Sequence, residues 1–376
     1  MSGKVTTKMA IINQLAKAHS PKLYIAGMGS ITPVGCNIAM TSSVIAAGIS
    51  AYSISKYHNR HFQPITISTV PDVIFNDVEA TIIQSEGFNA QHERVIKMAI
   101  IALREACVAH KGEQAIPLIL AMPEVSSAVG CCTVSGLIKN LAKNCQPWVS
   151  APLSRSVHSG RAAGMEALTF AFDYLYDLPN EFMLVGGSDS YLEYSRLNLL
   201  DEADRLLYQS SLDGFALGEA AGFLLLTRHP KLALVRDGHI IAVNLPGIAD
   251  ELGHLASDAP YRGDGLDQAF KKAINNYNGG NIHSIYSSMN GENYWSKEYG
   301  VAYIRNKAAF QNPVRLEHPA DCYGDLGSAT CPILIALAAE HLFKNSKANA
   351  HLVYGSSDSA KRGAVVVEKI AIADLN

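Results

Sequence analysis

Several residues of this 376-residue chain have side chains that could act as nucleophile, acid or base. In chain order they are His158, Ser159, His254, Glu292, His318, Asp321 and Asp325, and the amide of Asn290 could orient a ligand by hydrogen bonds. A serine hydroxyl beside an imidazole suggests nucleophilic catalysis, in which the imidazole takes up the hydroxyl proton. A carboxylate or a second imidazole would act as a general acid or base. The sequence therefore contains candidates for nucleophilic and acid–base chemistry, but no single arrangement of them is dictated.

The adjacency of His158 and Ser159 is weak evidence for a catalytic pair. Neighbouring residues at the start of a helix point about 100° apart, so the two side chains need not meet. We favour a helix-cap or first-turn role for Ser159 and a neutral, hydrogen-bonded imidazole for His158. Asp325 is placed to cap a helix that begins at Gly327. Glu292 and His318 stay open as functional candidates.

The elements that position these residues alternate between strands and helices. Apolar runs at 116–122 and 181–187 are typical of strands covered on both faces, and 91–110 has the period of an amphipathic helix. Such alternation predicts parallel sheets between helical layers. The loops at 290–292 and 318–325 follow predicted strands, where α/β folds collect functional groups. The similar order of elements in the two halves indicates internal duplication.

Composition restricts the function classes. Hydrophobic residues make up 48% of the chain and charged residues 17%, with a net charge of −3. The core is therefore large, and the low charged fraction favours a buried subunit interface. No basic cluster predicts binding to nucleic acid or to a membrane surface, and no apolar run reaches the ~18–20 residues that span a bilayer.

Cysteine and glycine patterns argue against metal and cofactor sites. The seven cysteines, including the adjacent Cys131 and Cys132, contain no CxxC pair. This pattern is typical of reduced thiols in a cytoplasmic protein and predicts no metal site. Gly27 and Gly29 follow a strand, but the third glycine and the acidic partner of a dinucleotide site are missing. We expect no cofactor.

Four segments, in order, are similar to motifs of the β-ketoacyl synthases. Residues 24–35 (YIAGMGSITPVG) resemble the opening V-x-I-T-G-M-G-x-x-T-P-x-G, and 156–164 (SVHSGRAAG) resemble the nucleophile turn A-C-S-S-G-x-x-A. Residues 183–190 (MLVGGSDS) resemble M-L-A-G-G-x-E, and 213–226 (DGFALGEAAGFLLL) resemble D-G-F-V-x-G-E-G-A-G-x-L-V-L. A weaker match, with His254, Pro260 and Gly265, resembles the H-x-T-x-P loop near the acyl entrance.

This resemblance implies the α/β fold of the thiolase superfamily, a duplicated five-layered α-β-α-β-α core that is usually dimeric. The expected division is an N-terminal extension at 1–21, a first half at 22–235 and a second half at 236–376. The active site of such a fold lies where the halves meet.

The family's condensing residues are absent from the matching positions. The synthases use a cysteine at a helix N-terminus to take the acyl group, and Val157 stands there. Their two histidines match Met289 or Asn290, and Tyr323 or Gly324, while the nearby lysine falls at His318 or Pro319. We therefore predict that decarboxylative condensation is absent.

Three functions stay open. The first is a condensation-incompetent homologue that binds an acyl chain, acyl thioester or acyl carrier protein, or pairs with an active synthase as chain length factors do. The second is an acyltransferase or thioesterase rebuilt around Ser159, Glu292 or His318. The third is a scaffold subunit. The expected assembly is a homodimer or a heterodimer with a related synthase.

Overall fold

The computed structural model describes residues 21–79, 90–110, 115–124 and 134–375. The extension predicted at 1–21 lies outside these residues except for its last position, as do Cys131 and Cys132. Within the described part, no helix is long and apolar enough to cross a membrane.

Within the residues that the structure describes, eleven strands form one mixed sheet and two form a separate hairpin. The strands are β1 (Lys22–Ile31), β2 (Ser53–His58), β3 (Pro64–Ile67), β4 (Leu118–Met122), β5 (Arg155–His158), β6 (Met183–Ser190), β7 (Glu219–Thr227), β8 (His239–Asn244), β9 (Gly247–Asp250), β10 (Ile282–Tyr286), β11 (Phe310–Glu317), β12 (Ala350–Ser356) and β13 (Lys361–Ala371). β2 and β3 are the hairpin, and β9 pairs only with β13.

The strand order repeats. The first half has the order β1-β7-β6-β4-β5, and the second half has β8-β13-β12-β10-β11. In each half the strands therefore run first, fifth, fourth, second, third in chain order. Antiparallel pairing of β1 with β8 joins the half-sheets. The repeated order agrees with internal duplication, whereas the division at 235 and 236 stays a prediction.

Helices cover both half-sheets. They are α1 (Ile38–Ala46), α2 (Asn76–Glu79), α3 (Ala90–Ala106), α4 (Val134–Asn144), α5 (Ala163–Asp177), α6 (Tyr194–Glu202), α7 (Asp264–Asn275), α8 (Asn293–Asn306), α9 (Ala320–Tyr323) and α10 (Thr330–Lys344). α5 and α10 contact strands of both halves and form the middle layer. α3 and α4 cover the outer face of the first half-sheet, and α7 and α8 that of the second.

The largest apolar core lies between the half-sheets. α10 is almost wholly buried there, which explains its apolar sequence on every face. This middle layer is the α-layer shared by the two halves, so the α-β-α-β-α architecture predicted from the motifs is confirmed.

The predicted strands at 116–122 and 181–187 and the predicted helix at 91–110 are present as β4, β6 and α3, with ends shifted by a few residues. The strand before the loop at 290–292 ends at Tyr286, because Ser287 Oγ accepts from the Met289 N–H and turns the chain. The strand before the loop at 318–325 is β11, whereas α6, α9 and β9 were not predicted. β11 carries Gln311, Asn312 and Arg315 on an exposed edge, so it lacks the apolar pattern of a central strand.

Candidate functional site

The motif at 156–164 forms a strand, a sharp turn and a helix start. β5 ends at His158, Gly160 adopts a left-handed conformation with φ of 54°, and a 3₁₀ turn at Gly160–Ala162 leads into α5. Val157 is half-buried and packs against the core between the half-sheets. The position that matches the family nucleophile is therefore an aliphatic side chain in extended backbone.

His158 and Ser159 have different partners. His158 Nε2 lies 3.1 Å from Ser156 Oγ. Ser159 is buried and its hydroxyl makes a short hydrogen bond to Glu166 Oε2. Ser159 precedes the 3₁₀ turn without capping it through its side chain. No hydrogen bond between Ser159 and an imidazole occurs in the described residues, so the structure does not assemble a Ser–His pair here.

The polar residues beyond β10 and β11 join a closed ring of ion pairs and hydrogen bonds, which we call the ion-pair ring. Its members are Arg161, Asp325, Asn290, Glu292, Arg205 and Asp358. Arg161 Nη1 donates to Asp325 Oδ2 at 2.6 Å, and Asn290 Nδ2 donates to that same oxygen at 2.9 Å. Asn290 Nδ2 also donates to Glu292 Oε2 at 3.0 Å.

The ring closes through Arg205. Its Nε and Nη2 form a bidentate pair with Glu292 at 2.6 and 2.8 Å, and its Nη1 donates to Asp358 at 2.7 Å. Asp358 then accepts from Arg161 Nη2 at 2.5 Å. Both arginines come from the first half of the chain and all three carboxylates from the second. The ring therefore ties the halves together where a site between them is expected.

Burial makes this ring electrostatically strong. The side chains of Arg161 and Asp325 are 3% and 1% exposed. Burial by itself would raise the pKa of Asp358, but the guanidinium groups of Arg161 and Arg205 outweigh it and hold that pKa well below its usual range. Ion pairing likewise overcomes burial and raises the pKa of Arg161 well above its ordinary value.

Trp295 packs against the ion-pair ring. The guanidinium carbon of Arg161 lies 4.4 Å from the centre of the Trp295 ring, and Trp295 Nε1 donates to Glu292 at 2.9 Å. These contacts fill the space around Glu292 with fixed donors. Glu292 is thus held by Arg205, Asn290 and Trp295, which leaves it poorly placed to move a proton.

The positions that match the family's histidines are buried and closed. Met289 is 8% exposed and Tyr323 is 2% exposed. Burial raises the pKa of Tyr323 well above its ordinary value. A cavity of about 10 Å³ lies between Met289, Tyr323 and Gly324, room for little more than one water. Gly324 has φ of 75° and brings its backbone against Ala216 O.

His318 supports this loop rather than joining the ring. Its Nε2 lies 2.8 Å from Met289 O, and its Nδ1 lies 3.2 Å from Asp321, whose side chain is 75% exposed. Asp325 Oδ1 accepts from the Gly327 N–H at 2.8 Å and so caps the turn before α10. The predicted residues of these two loops thus form two groups. Asn290, Glu292 and Asp325 are buried in the ion-pair ring, whereas His318 and Asp321 lie outside it.

A cavity of about 730 Å³ opens beside the ring. Its wall includes Gly160, Arg161, Arg205 and Asp358, so the ring forms one end of it. Val157 is not part of the wall. The remaining surface is mainly apolar, so this space fits a hydrophobic ligand better than it fits a catalytic cleft.

Sequence reasoning missed Arg161, Arg205, Asp358 and Glu124. Glu124 follows β4, lines the cavity and accepts from the Asp358 N–H at 2.7 Å. His254 is half-buried, and the two residues after it also line the cavity. Arg161 and Asp358 could have been noticed in the sequence, because each is a charged residue inside a segment rich in glycine and serine.

Comparisons with known proteins place this fold. No family model matches the chain, and no curated protein matches it in sequence. Among solved structures, the ishigamide ketosynthase/chain length factor is 17% identical with a TM-score of 0.74, over 93% of this chain and 99% of that one. The similarity in structure at such low identity establishes the fold and nothing further.

Two other structures agree. The ketosynthase ApeO in complex with its chain length factor ApeC from Xenorhabdus doucetiae gives a TM-score of 0.70 at 14% identity, over 93% of this chain and 98% of that one. AntDE:AntF is a type II PKS acyl-carrier protein in complex with its ketosynthase bound to the hexaketide. It gives a TM-score of 0.70 at 15% sequence identity, over 93% of this chain and 99% of that one. The chain has a thiolase fold. Within that class, its architecture is that of the ketosynthases and their chain length factors.

Proposed function

We propose that the protein is a condensation-incompetent homologue of the β-ketoacyl synthases that binds an acyl chain and pairs with a related synthase or a second copy of itself. One observation supports this most. A cavity of about 730 Å³ lies beside the turn at 156–164, while the ion-pair ring occupies the end of that cavity where the halves meet.

Among the described residues, those at the positions that resemble the family's site do not supply the chemistry of condensation. Val157 offers no lone pair to attack a thioester. Met289 has a thioether in place of an imidazole, and the Tyr323 hydroxyl is buried against the core. Each hydrogen-bond donor to a developing oxyanion is worth ~10²–10³ in rate, so two missing donors remove the activity.

Acyl binding can be tested at the cavity wall. Leu200 is 8% exposed and lines the cavity, whereas Leu212 is 99% exposed and does not. We expect the protein to bind the N-acetylcysteamine thioester of dodecanoate and Leu200→Trp to weaken binding at least ~10-fold, because the indole fills the space. Leu212→Trp adds the same group outside the cavity and serves as the matched control. No binding by the unmodified protein in calorimetry would contradict the proposal.

Pairing is supported by the edge of the sheet. β5 has a hydrogen-bonded neighbour, β4, on one side only within the described residues. An edge strand with unpaired backbone groups is a template for another chain. Two of the similar structures contain a ketosynthase with a chain length factor. We expect a dimer interface that buries more than ~2,000 Å².

Association is measured by sedimentation at micromolar concentration and by affinity purification from the cells that make the protein. A homodimer, or co-purification of a cysteine-bearing synthase in equal amount, is the expected outcome. A monomer that recovers no such synthase would contradict the pairing.

The other functions have less support in the described residues. An acyltransferase or thioesterase would need Ser159, Glu292 or His318 to be free for catalysis, yet each has fixed partners. A pure scaffold would not need an apolar cavity of this size. Acyl carrier protein binding follows as part of the proposal, because carriers deliver acyl chains to synthases of this fold.

A further inference from the structure

We infer that the large cavity selects an apolar chain that ends in a protonated amine over one that ends in a carboxylate. This inference rests on the proposed function, since it assumes that the cavity binds an apolar chain. It adds the charge of the ligand's polar end, which the β-ketoacyl synthase resemblance does not supply.

The wall is apolar over most of its surface and negative where it is charged. Its apolar residues include Val95, Met122, Leu137, Leu199, Leu200 and Leu255. Three arginines in the wall, Arg161, Arg196 and Arg205, face four carboxylates in the wall, Glu124, Asp189, Glu193 and Asp358. Behind the wall, Asp325 and Glu292 add two more carboxylates that pair with the arginines.

Every one of these arginines is already neutralised. Arg161 and Arg205 share Asp358 and each has a second carboxylate, and Arg196 pairs with Asp189 at 2.8 Å. An incoming carboxylate would have to displace a buried ion pair to reach a guanidinium. The free energy lost by breaking that pair exceeds the free energy gained from the new one. Burial lowers the pKa of His92, so this imidazole adds no positive charge at neutral pH.

Among the described residues, two wall carboxylates, Glu124 and Glu193, form no salt bridge with a cation, and Glu124 is the one that lies against the turn at Gly160. Its Oε1 accepts from Ser357 Oγ and from the Asp358 N–H, and its Oε2 accepts from the Ser359 N–H at 3.2 Å. These neutral donors hold the carboxylate in place and bring no positive charge to it. A carboxylate has about four acceptor sites, so Oε2 can take a further donor.

The position of Glu124 fits a ligand's polar end. A Cβ on Gly160 would lie 3.0 Å from Glu124 Oε1, so this carboxylate sits directly on the turn where the family has its nucleophile. An ammonium that reaches this turn would meet a preformed anion at a site with an apolar approach. Attraction between unit charges in such surroundings is far stronger than in water.

The test compares dodecylamine, dodecanol and dodecanoate as competitors of a fluorescent acyl probe, at concentrations below micelle formation. We expect the amine to bind at least ~10-fold more tightly than the carboxylate, with the alcohol between them. Glu124→Gln keeps the shape, removes the charge and should reduce this preference at least ~10-fold. Glu202→Gln makes the same change on the exposed face of α6, outside the wall, and should leave the preference unaltered.

The possible outcomes separate the two proposals. If the alcohol and the dodecanoyl thioester fail to bind, the proposed function is wrong. If they bind but dodecanoate competes as well as dodecylamine, or Glu124→Gln leaves the ratio unchanged, the charge selection is wrong and the proposed function stands.

Discussion

At the scale of single residues, the buried polar side chains of the site are paired with one another. Val157 stands where the motif resembles the family's nucleophile turn, and the buried polar groups nearby satisfy one another in the ion-pair ring. A catalytic carboxylate needs an altered pKa and access to a proton, whereas Glu292 has three fixed donors. Such a ring stabilises one arrangement of the two halves rather than a reaction.

Breaking the ring at its most buried pair should be costly. We expect Arg161→Met to lower the free energy of unfolding by about 3–5 kcal/mol, because Asp325 is left buried without its cation. Arg161→Met with Asp325→Asn should lose less than the single change. Arg305→Met removes an exposed ion pair to Asp264 and a longer contact to Asp267, which Lys271 and Asn306 continue to hold, so it should cost under ~1 kcal/mol. Equal effects of Arg161→Met and Arg305→Met in urea unfolding would contradict the account.

The ring also predicts a pH dependence. The arginines lower the folded-state pKa of Asp358, so its contribution is fully present above the unfolded-state pKa of ~3.9 and is lost as the pH falls through the folded-state value. The difference in unfolding free energy between the protein and Asp358→Asn should therefore be constant from pH 7 to ~5 and shrink below ~4. Urea unfolding of both proteins across this pH range measures the difference. A difference that grows as the pH falls would contradict the assignment.

At the scale of elements, tight turns bring the strand ends and helix starts of the two halves together. Gly327 precedes α10 with φ of 55°, and a Cβ there would lie 2.0 Å from Asp189 Oδ2. That carboxylate also accepts from the Ser328 N–H and pairs with Arg196. The turn before α10 is therefore fixed by a contact that only glycine permits.

Alanine substitutions separate backbone strain from that contact. Gly48 has φ of 68° and nothing near the place of a Cβ, so Gly48→Ala should cost only the ~1–2 kcal/mol of the left-handed conformation. Gly327→Ala should cost at least ~2 kcal/mol more, because Asp189 must move and weaken its hydrogen bond and ion pair. Thermal unfolding of both variants measures the difference. Equal losses of stability in the two variants would contradict this prediction, because Asp189 would then move away from the new Cβ without a cost in free energy.

At the scale of the whole molecule, the motifs predicted the fold but not the interior of the site. The segments at 24–35 and 213–226 became β1 and β7, which pair over most of their length. Arg161 and Asp325 are separated by 164 positions, and no local pattern links them. Such long-range ion pairs depend on how the halves pack. Motif positions therefore predicted which family side chains are absent, whereas the ion pairs among the residues of the site required the structure.

The central claim is that the fold has kept a place for an acyl chain and lost the means to condense it. Restoring the thiol tests this most directly. The unmodified protein and Val157→Cys are incubated with acyl- and malonyl-carrier thioesters, and mass spectrometry follows acyl transfer alongside release of carbon dioxide. A thiol at this turn gains from the local N–H groups, so acylation of the variant is compatible with the account. We expect neither protein to decarboxylate the malonyl group, since Met289 and Tyr323 supply no imidazole. Condensation by Val157→Cys at ordinary synthase rates would contradict the account, because Asn290, Glu292 or His318 would then be doing the work of the histidines.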